Sequence, residues 1–315
     1  MEAALRLVAA VSIASCATGV LAARGRLRHT TLRGAWWWGA AALSLWTLSF
    51  FATDVLGWLS EGAADQVWLA SAVLLVCPFV AVLGARRPGS RVWDVFIVAP
   101  LAIVLDLPAV TAWNRDLQPA SLHLEVPMLA GYALVLVMGA GNYLATRVAL
   151  PALLAAVAML LVPVSMSSLH GAPDPSRARP LATILLSAAV WGAVLGLRKS
   201  PRAERPAGPT SFEELWNDFR DLYGIVWARR VLDRVNATAF QEDWPVRLQL
   251  NGFVPVDASR SLLLTPEQSG QIEHTLRWLL RRFADPEWID ERITGRIVAR
   301  SPADHKPDSP AERGV

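Results

Sequence analysis

Charge is scarce in this chain. Only 18% of its 315 residues are Asp, Glu, Lys or Arg while 53% are hydrophobic, whereas a soluble domain carries about 25% charged residues. With a mean hydropathy of +0.34, water alone is excluded as the folding solvent, and so is intrinsic disorder. The 20 glycines follow no period, which excludes a collagen-like chain. Cysteine is scarcer still: Cys16 and Cys77 both sit inside apolar runs, so neither a disulfide framework nor a cysteine-rich metal site is expected. Missing too are the GxxxxGK phosphate loop, the GxSxG nucleophile elbow, HExxH and paired CxxC, each of which would announce a particular chemistry. The adjacent carboxylates Glu242-Asp243 and Asp290-Glu291 point apart on a helix or strand, as solvated surface does. The reading leans away from an enzyme.

What the sequence has instead is apolar length. A hydrocarbon core of about 30 Å takes about 20 residues of helix to cross, and seven runs approach that length: 5–23, 35–52, 67–85, 92–113, 126–145, 148–166 and 181–197. The fifth and sixth are separated only by Thr146 and Arg147, which predicts a tight hairpin. Pro127 and Pro151 fall where a first helical turn tolerates a missing N–H.

Lysine and arginine concentrate in cytoplasmic loops, which tests the count. Alternate connections carry Arg24, Arg26, Arg28 and Arg33; Arg86, Arg87 and Arg91; Arg147; and Arg198, Lys199, Arg202 and Arg205. The other set carries only Arg6, Arg115, Arg177 and Arg179. This asymmetry predicts an outside N-terminus and a cytoplasmic C-terminus in a bacterial inner membrane. Residues 198–315 hold 18 basic and 18 acidic side chains, so a nucleic-acid face is not expected. Trp36, Trp37, Trp38 and Trp93 fall at predicted cytoplasmic span ends and Trp58, Trp68 and Trp113 at outer ends, as interfacial anchors do.

The expected organisation is an all-α membrane protein. A seven-span bundle (1–198) leads through a Pro-rich linker (199–210) to a small, helix-dominated cytoplasmic domain, α or α+β (211–300), and a disordered tail (301–315). In the domain, Ser211 and Glu214 match a capping box, and Phe212, Leu215, Trp216, Phe219, Tyr223 and Trp227 repeat at helical spacing through about Val235. Asn251-Gly252 is a hairpin signal, Ser261 to Leu264 a third strand, and Thr265, Pro266 and Gln268 open another helix. Asp285-Pro286 restarts a shorter one.

Three sets of residues are candidates for function. Asp106, in the outer half of the fourth run, costs about 2.5–3.5 kcal/mol at mid-bilayer; it is a proton or cation site, or a carboxyl paired or hydrogen-bonded within the bundle or snorkelling outward. Asp94 pairs with Arg91 at the cytoplasmic interface, and Asn142 hydrogen-bonds between helices. Trp216, Tyr223 and Trp227 exceed what one helical partner needs, so they pack inside the domain or dock a protein partner. His123 and His170, with Met128 and Met166 nearby, are weak outer-face candidates for copper or an axial haem ligand, and no cofactor is expected. The leading expectation is a membrane subunit or scaffold in the lipid bilayer whose cytoplasmic domain docks a protein partner. A solute, ion or proton transporter using Asp106 is the alternative. An envelope enzyme or cofactor-handling protein built around His123, Glu125 and His170 is the third.

Overall fold

The computed structural model describes residues 2–116, 121–197, 209–257 and 264–293. The chain is mostly helical, at 77%, with a small two-stranded sheet. All seven apolar runs are helical: α1 (Glu2–Arg26), α2 (Arg33–Phe50), α3 (Glu61–Leu83), a segment made of α4 (Ser90–Trp93) and α5 (Ala99–Asp116), then α6 (Val126–Gly141), α7 (Ala149–Ser165) and α8 (Pro175–Gly196). A π turn over Asp94–Val98 joins α4 to α5, and a second over Phe51–Val55 extends α2. Four segments, Glu2–Arg26, Glu61–Leu83, Ser90–Ala112 and Pro175–Gly196, are long and apolar enough to cross a membrane. At 16 and 17 residues, α6 and α7 span only about 24–26 Å.

The hairpin between the fifth and sixth runs is longer than expected. Helix α6 stops at Gly141 and α7 begins at Ala149, because the chain turns at Asn142, whose backbone and side chain are engaged elsewhere.

Trp46, Trp68, Tyr132, Phe50 and Met159 are fully buried at the centre of the bundle. The polar atoms among them are satisfied across helices. Trp46 Nε1 donates to Thr183 Oγ1 at 3.0 Å, Ser49 and Ser71 share a 2.8 Å bond, and Tyr132 Oη donates to Ala72 O at 3.0 Å. These are the polar links that fasten apolar helices when hydrophobic driving force between them is weak.

The C-terminal unit contains α9 (Pro209–Gln241), the hairpin β1 (Val246–Gln249) and β2 (Gly252–Pro255), α10 (Pro266–Leu280) and α11 (Pro286–Ile293). Helix α9 starts two residues before the expected cap and breaks at Gly224. The hairpin pairs Gln249 with Gly252, so its two-residue turn is Leu250-Asn251, one position earlier than the sequence signal. A full capping box opens α10: Thr265 Oγ1 accepts from Gln268 N and Gln268 Oε1 accepts from Thr265 N. Apart from Pro209, Thr210 and Leu264, the expected linker, third strand and C-terminal tail lie outside the described residues.

The unit is seated on one end of the bundle, the end whose loops carry Arg24 to Arg33, Arg86, Arg87 and Arg147. It shares a core with that end: Leu32, Val82 and Ala85 cluster with Phe219, Tyr223, Trp227, Phe283 and Trp288.

Candidate functional site

The junction is built from three loops. From the first, Thr31 N donates to Phe283 O at 2.8 Å, Thr30 forms an antiparallel bridge with Ala284, and His29 O accepts from Asp285 N at 2.7 Å. From the second, Arg87 N donates to Arg282 O at 2.8 Å and its guanidinium pairs with Asp285 at 2.5 Å. Trp227 Nε1 reaches back to Val82 O at 3.0 Å.

The third loop makes the closest fit. Asn142 O accepts from Ile225 N at 2.8 Å, its Oδ1 accepts from Val226 N at 2.9 Å and its Nδ2 donates to Tyr223 O at 3.2 Å. One residue, through its carbonyl and its side-chain amide, thus satisfies backbone groups that the break in α9 sets free. The break requires glycine: Gly224 has φ 75°, a region that favours glycine, and a Cβ there would overlap the Asn142 amide and carbonyl. Asn142 therefore stands in the loop and binds the C-terminal unit, rather than hydrogen-bonding helix to helix inside the fifth run. Its position at a helix end explains the difference.

Beside it, Arg147 pairs with Asp221, which is fully buried, and with Asp218 at 3.0 Å. Asp221 also accepts from Arg220, and Asp218 from Arg292 at 2.9 Å. Burial alone would lower the Arg147 pKa, but its hydrogen bonds and charge pairing with Asp221 and Asp218 raise it above the ordinary value. Burial also pushes the Tyr223 phenol upward, so it stays neutral, donating to Phe283 O at 2.6 Å.

The three aromatic candidates are used internally. Trp216 and Tyr223 are fully buried and Trp227 nearly so; Trp216 Nε1 donates to Gln249 O at 2.9 Å, while Tyr223 and Trp227 pack edge-on against Phe283. What the unit exposes instead is a groove of about 980 Å³ between α9 and α10, edged by Arg86, Arg230, Arg234 and Arg282, with Trp278 46% exposed. Among the described residues none of these four guanidiniums pairs with a carboxylate.

The opposite end of the bundle holds a polar cavity of about 500 Å³. Arg179 pairs there with Asp65 at 2.5 Å, both largely buried. Asp65 also accepts from Leu122 N at 3.1 Å, and the Nε atoms of Arg6 and Arg179 are buried without a partner among the described residues. At its rim Asp174 caps α8, and the Ser176 hydrogen bonds hold its carboxyl below the usual range. His123 lines this cavity but Glu125 and His170 do not, although their loops adjoin through Leu124 N to Met166 O at 2.9 Å.

His123 and His170 share no three-residue ligand group. Among the described residues that arrangement occurs only at the junction, where ligand atoms of His29, Asp285 and Glu287 lie within 4.8 Å of one another and Arg87 already neutralises Asp285. Asp94 turns to the Trp38 indole into space left by Gly34, and forms no ion pair with Arg91 among the described residues. Asp106 is half-buried, its Oδ1 without a partner among the described residues.

Sequence reasoning passed over Asp65, Arg179, Asp218, Asp221 and Arg292. The ion pairs Arg147–Asp218, Arg147–Asp221, Arg292–Asp218 and Arg179–Asp65 join residues 71 to 114 positions apart, beyond any spacing rule. The one available signal was an aspartate or arginine beside an apolar run. No family model matches this chain, and neither curated proteins nor solved structures give a match.

Proposed function

We propose that the chain is a multi-pass inner-membrane protein in which all seven helices enter the bilayer. On this reading the N-terminus is outside and the C-terminal domain is held on the cytoplasmic face as a membrane subunit or scaffold. Support for the bilayer comes from the segment containing Val92, Val95, Phe96, Ile103, Val104, Leu107 and Val110, each 47–69% exposed. Burying one such side chain fully stabilises by about 1.5–3 kcal/mol; at half that, seven give about 5–10 kcal/mol for transfer to lipid, which outweighs the about 2.5–3.5 kcal/mol cost of Asp106.

The single observation that carries the scaffold reading is the junction. Three loops of one end grip the domain, so the bundle fixes its position and presents its outer surface. With the Trp216, Tyr223 and Trp227 stripe committed inside, the docking surface is the arginine-edged groove around Trp278, suited to an acidic protein segment. A photo-cross-linker at Trp278 in native membranes should give a discrete protein adduct that Arg230→Glu with Arg234→Glu abolishes. Absence of any adduct, or an adduct indifferent to the charge reversal, contradicts docking at this groove.

A transporter is the second reading, supported by Asp106 Oδ1, which has no hydrogen-bond partner among the described residues. It predicts that Asp106→Asn abolishes a proton- or ion-dependent flux in proteoliposomes while insertion is retained; unchanged flux removes it.

A further inference from the structure

Helices α1 and α2 do not close against each other along their length. Between them runs an apolar groove of about 560 Å³, from Phe51 at one end to Leu21 and Trp36 at the other. Its floor is small, with Ala14, Ala17 and Ala40. The hydroxyls in it are satisfied by their own helix: Ser44 Oγ donates to Ala40 O at 2.8 Å and Thr47 Oγ1 to Leu43 O at 2.7 Å. The groove therefore offers no polar handle. Trp36 to Phe51 covers about 22 Å of helix, more than the roughly 15 Å of one leaflet's hydrocarbon.

The groove opens at Leu21 and Trp36 into a second cavity of about 730 Å³, since both residues line the two. This one is strongly basic. Arg24, Arg28 and Arg33 line it and are exposed, and no carboxylate pairs with them among the described residues. Its one acidic residue, Asp285, is already held by Arg87 at 2.5 Å and His29 at 3.6 Å. Arg24 lies over the Trp36 ring at 5.6 Å, and Trp37 is 54% exposed, as indoles are at headgroup depth.

We infer that this continuous pair of cavities binds one anionic phospholipid, with an acyl chain between α1 and α2 and its phosphate on Arg24, Arg28 and Arg33. Guanidinium groups match phosphate oxygens in geometry and charge, and basic pockets between helices on the cytoplasmic side suit anionic headgroups. The apolar half selects a lipid over a soluble phosphate compound. The inference rests on the membrane reading. It also gives the loop at residues 27–33, which carries one third of the junction, a lipid contact on its other side.

The test uses full-length protein in mixed micelles with phosphatidylglycerol or phosphatidylcholine at equal mole fraction, scored by native mass spectrometry for retained lipid. One phosphatidylglycerol should be retained at least tenfold more tightly than phosphatidylcholine. Arg28→Gln with Arg33→Gln should bring it to the phosphatidylcholine level. Ala17→Phe, which fills the groove from an exposed position, should weaken it as much with the arginines intact. Glycerol phosphate should displace it only in more than hundredfold excess. Equal retention of the two lipids, retention unmoved by both variants, or displacement by stoichiometric glycerol phosphate would overturn the inference. Protein that stays in solution without detergent would instead sink the membrane reading.

Discussion

The third loop at one end of the helical bundle and the polar cavity at the other use their charged side chains in opposite ways. At the arginine-rich end the long polar side chains of the third loop meet partners on the C-terminal unit: Asn142 makes three hydrogen bonds, Tyr143 Oη donates to Leu222 O at 3.4 Å, and Arg147 joins two aspartates that join two further arginines. At the other end a cavity of similar polarity leaves two guanidinium Nε atoms without partners among the described residues. A buried donor without a partner costs about 1–3 kcal/mol. Close satisfaction lets the third loop fix the position of the C-terminal unit.

The comparison can be broken most forcefully at Asp221. Asp221→Ala would leave Arg220, only 8% exposed, as an uncompensated buried charge, at about 3–5 kcal/mol. The C-terminal unit should come loose from the loops, seen as protease cleavage near residue 209 in washed membranes. Next is Gly224→Ala, which combines backbone strain of about 1–3 kcal/mol with displacement of Asn142; a lower unfolding temperature in detergent is expected, with cleavage at the same place. At the opposite end, Arg179→Ala should cost about 2 kcal/mol, a discount from the fully buried case because the pair is 12–13% exposed, and should leave protease resistance of the junction unchanged. Combined with Gly224→Ala it should be additive within about 0.5 kcal/mol, as for distant sites; strong coupling would show that the ends are not independent. The smallest effect belongs to Arg87→Ala. Its pair with Asp285 is 44% and 33% exposed, so about 0.5 kcal/mol is expected in the same unfolding measurement.

Much of the fold was legible because hydrophobic length is a local property. Each of the seven apolar runs is helical, the capping box at Thr265 and the restart at Pro286 stand where the residues place them, and the 211–235 periodicity is a helix. The break at Gly224 was not legible, since a glycine inside a helical pattern signals a kink only when its partner is known, and Asn142 lies more than 80 residues away. The same reason hid the Asp221 and Asp65 networks. Of the candidate sites, the aromatic stripe packs against Phe283 and the arginine-side end of the bundle itself. The arginines read as marking one side of the bundle also surround the domain seat, because the loop backbones carrying them supply its hydrogen bonds.

The C-terminal unit is fastened to the arginine-side loops of the bundle, which on the proposed reading lies in the membrane. Thr30 and Ala284 face each other across an antiparallel bridge, where Cβ atoms are about 4.5–5.5 Å apart and a disulfide is within reach. Cysteines placed at both positions, in a chain with Cys16 and Cys77 changed to alanine, should form an intramolecular disulfide in washed membranes under mild oxidant, with Arg28→Cys and Ala284→Cys as a poorer pair. Protein recovered from the membrane with both thiols free after oxidation, or recovered in the soluble fraction without detergent, would contradict this arrangement.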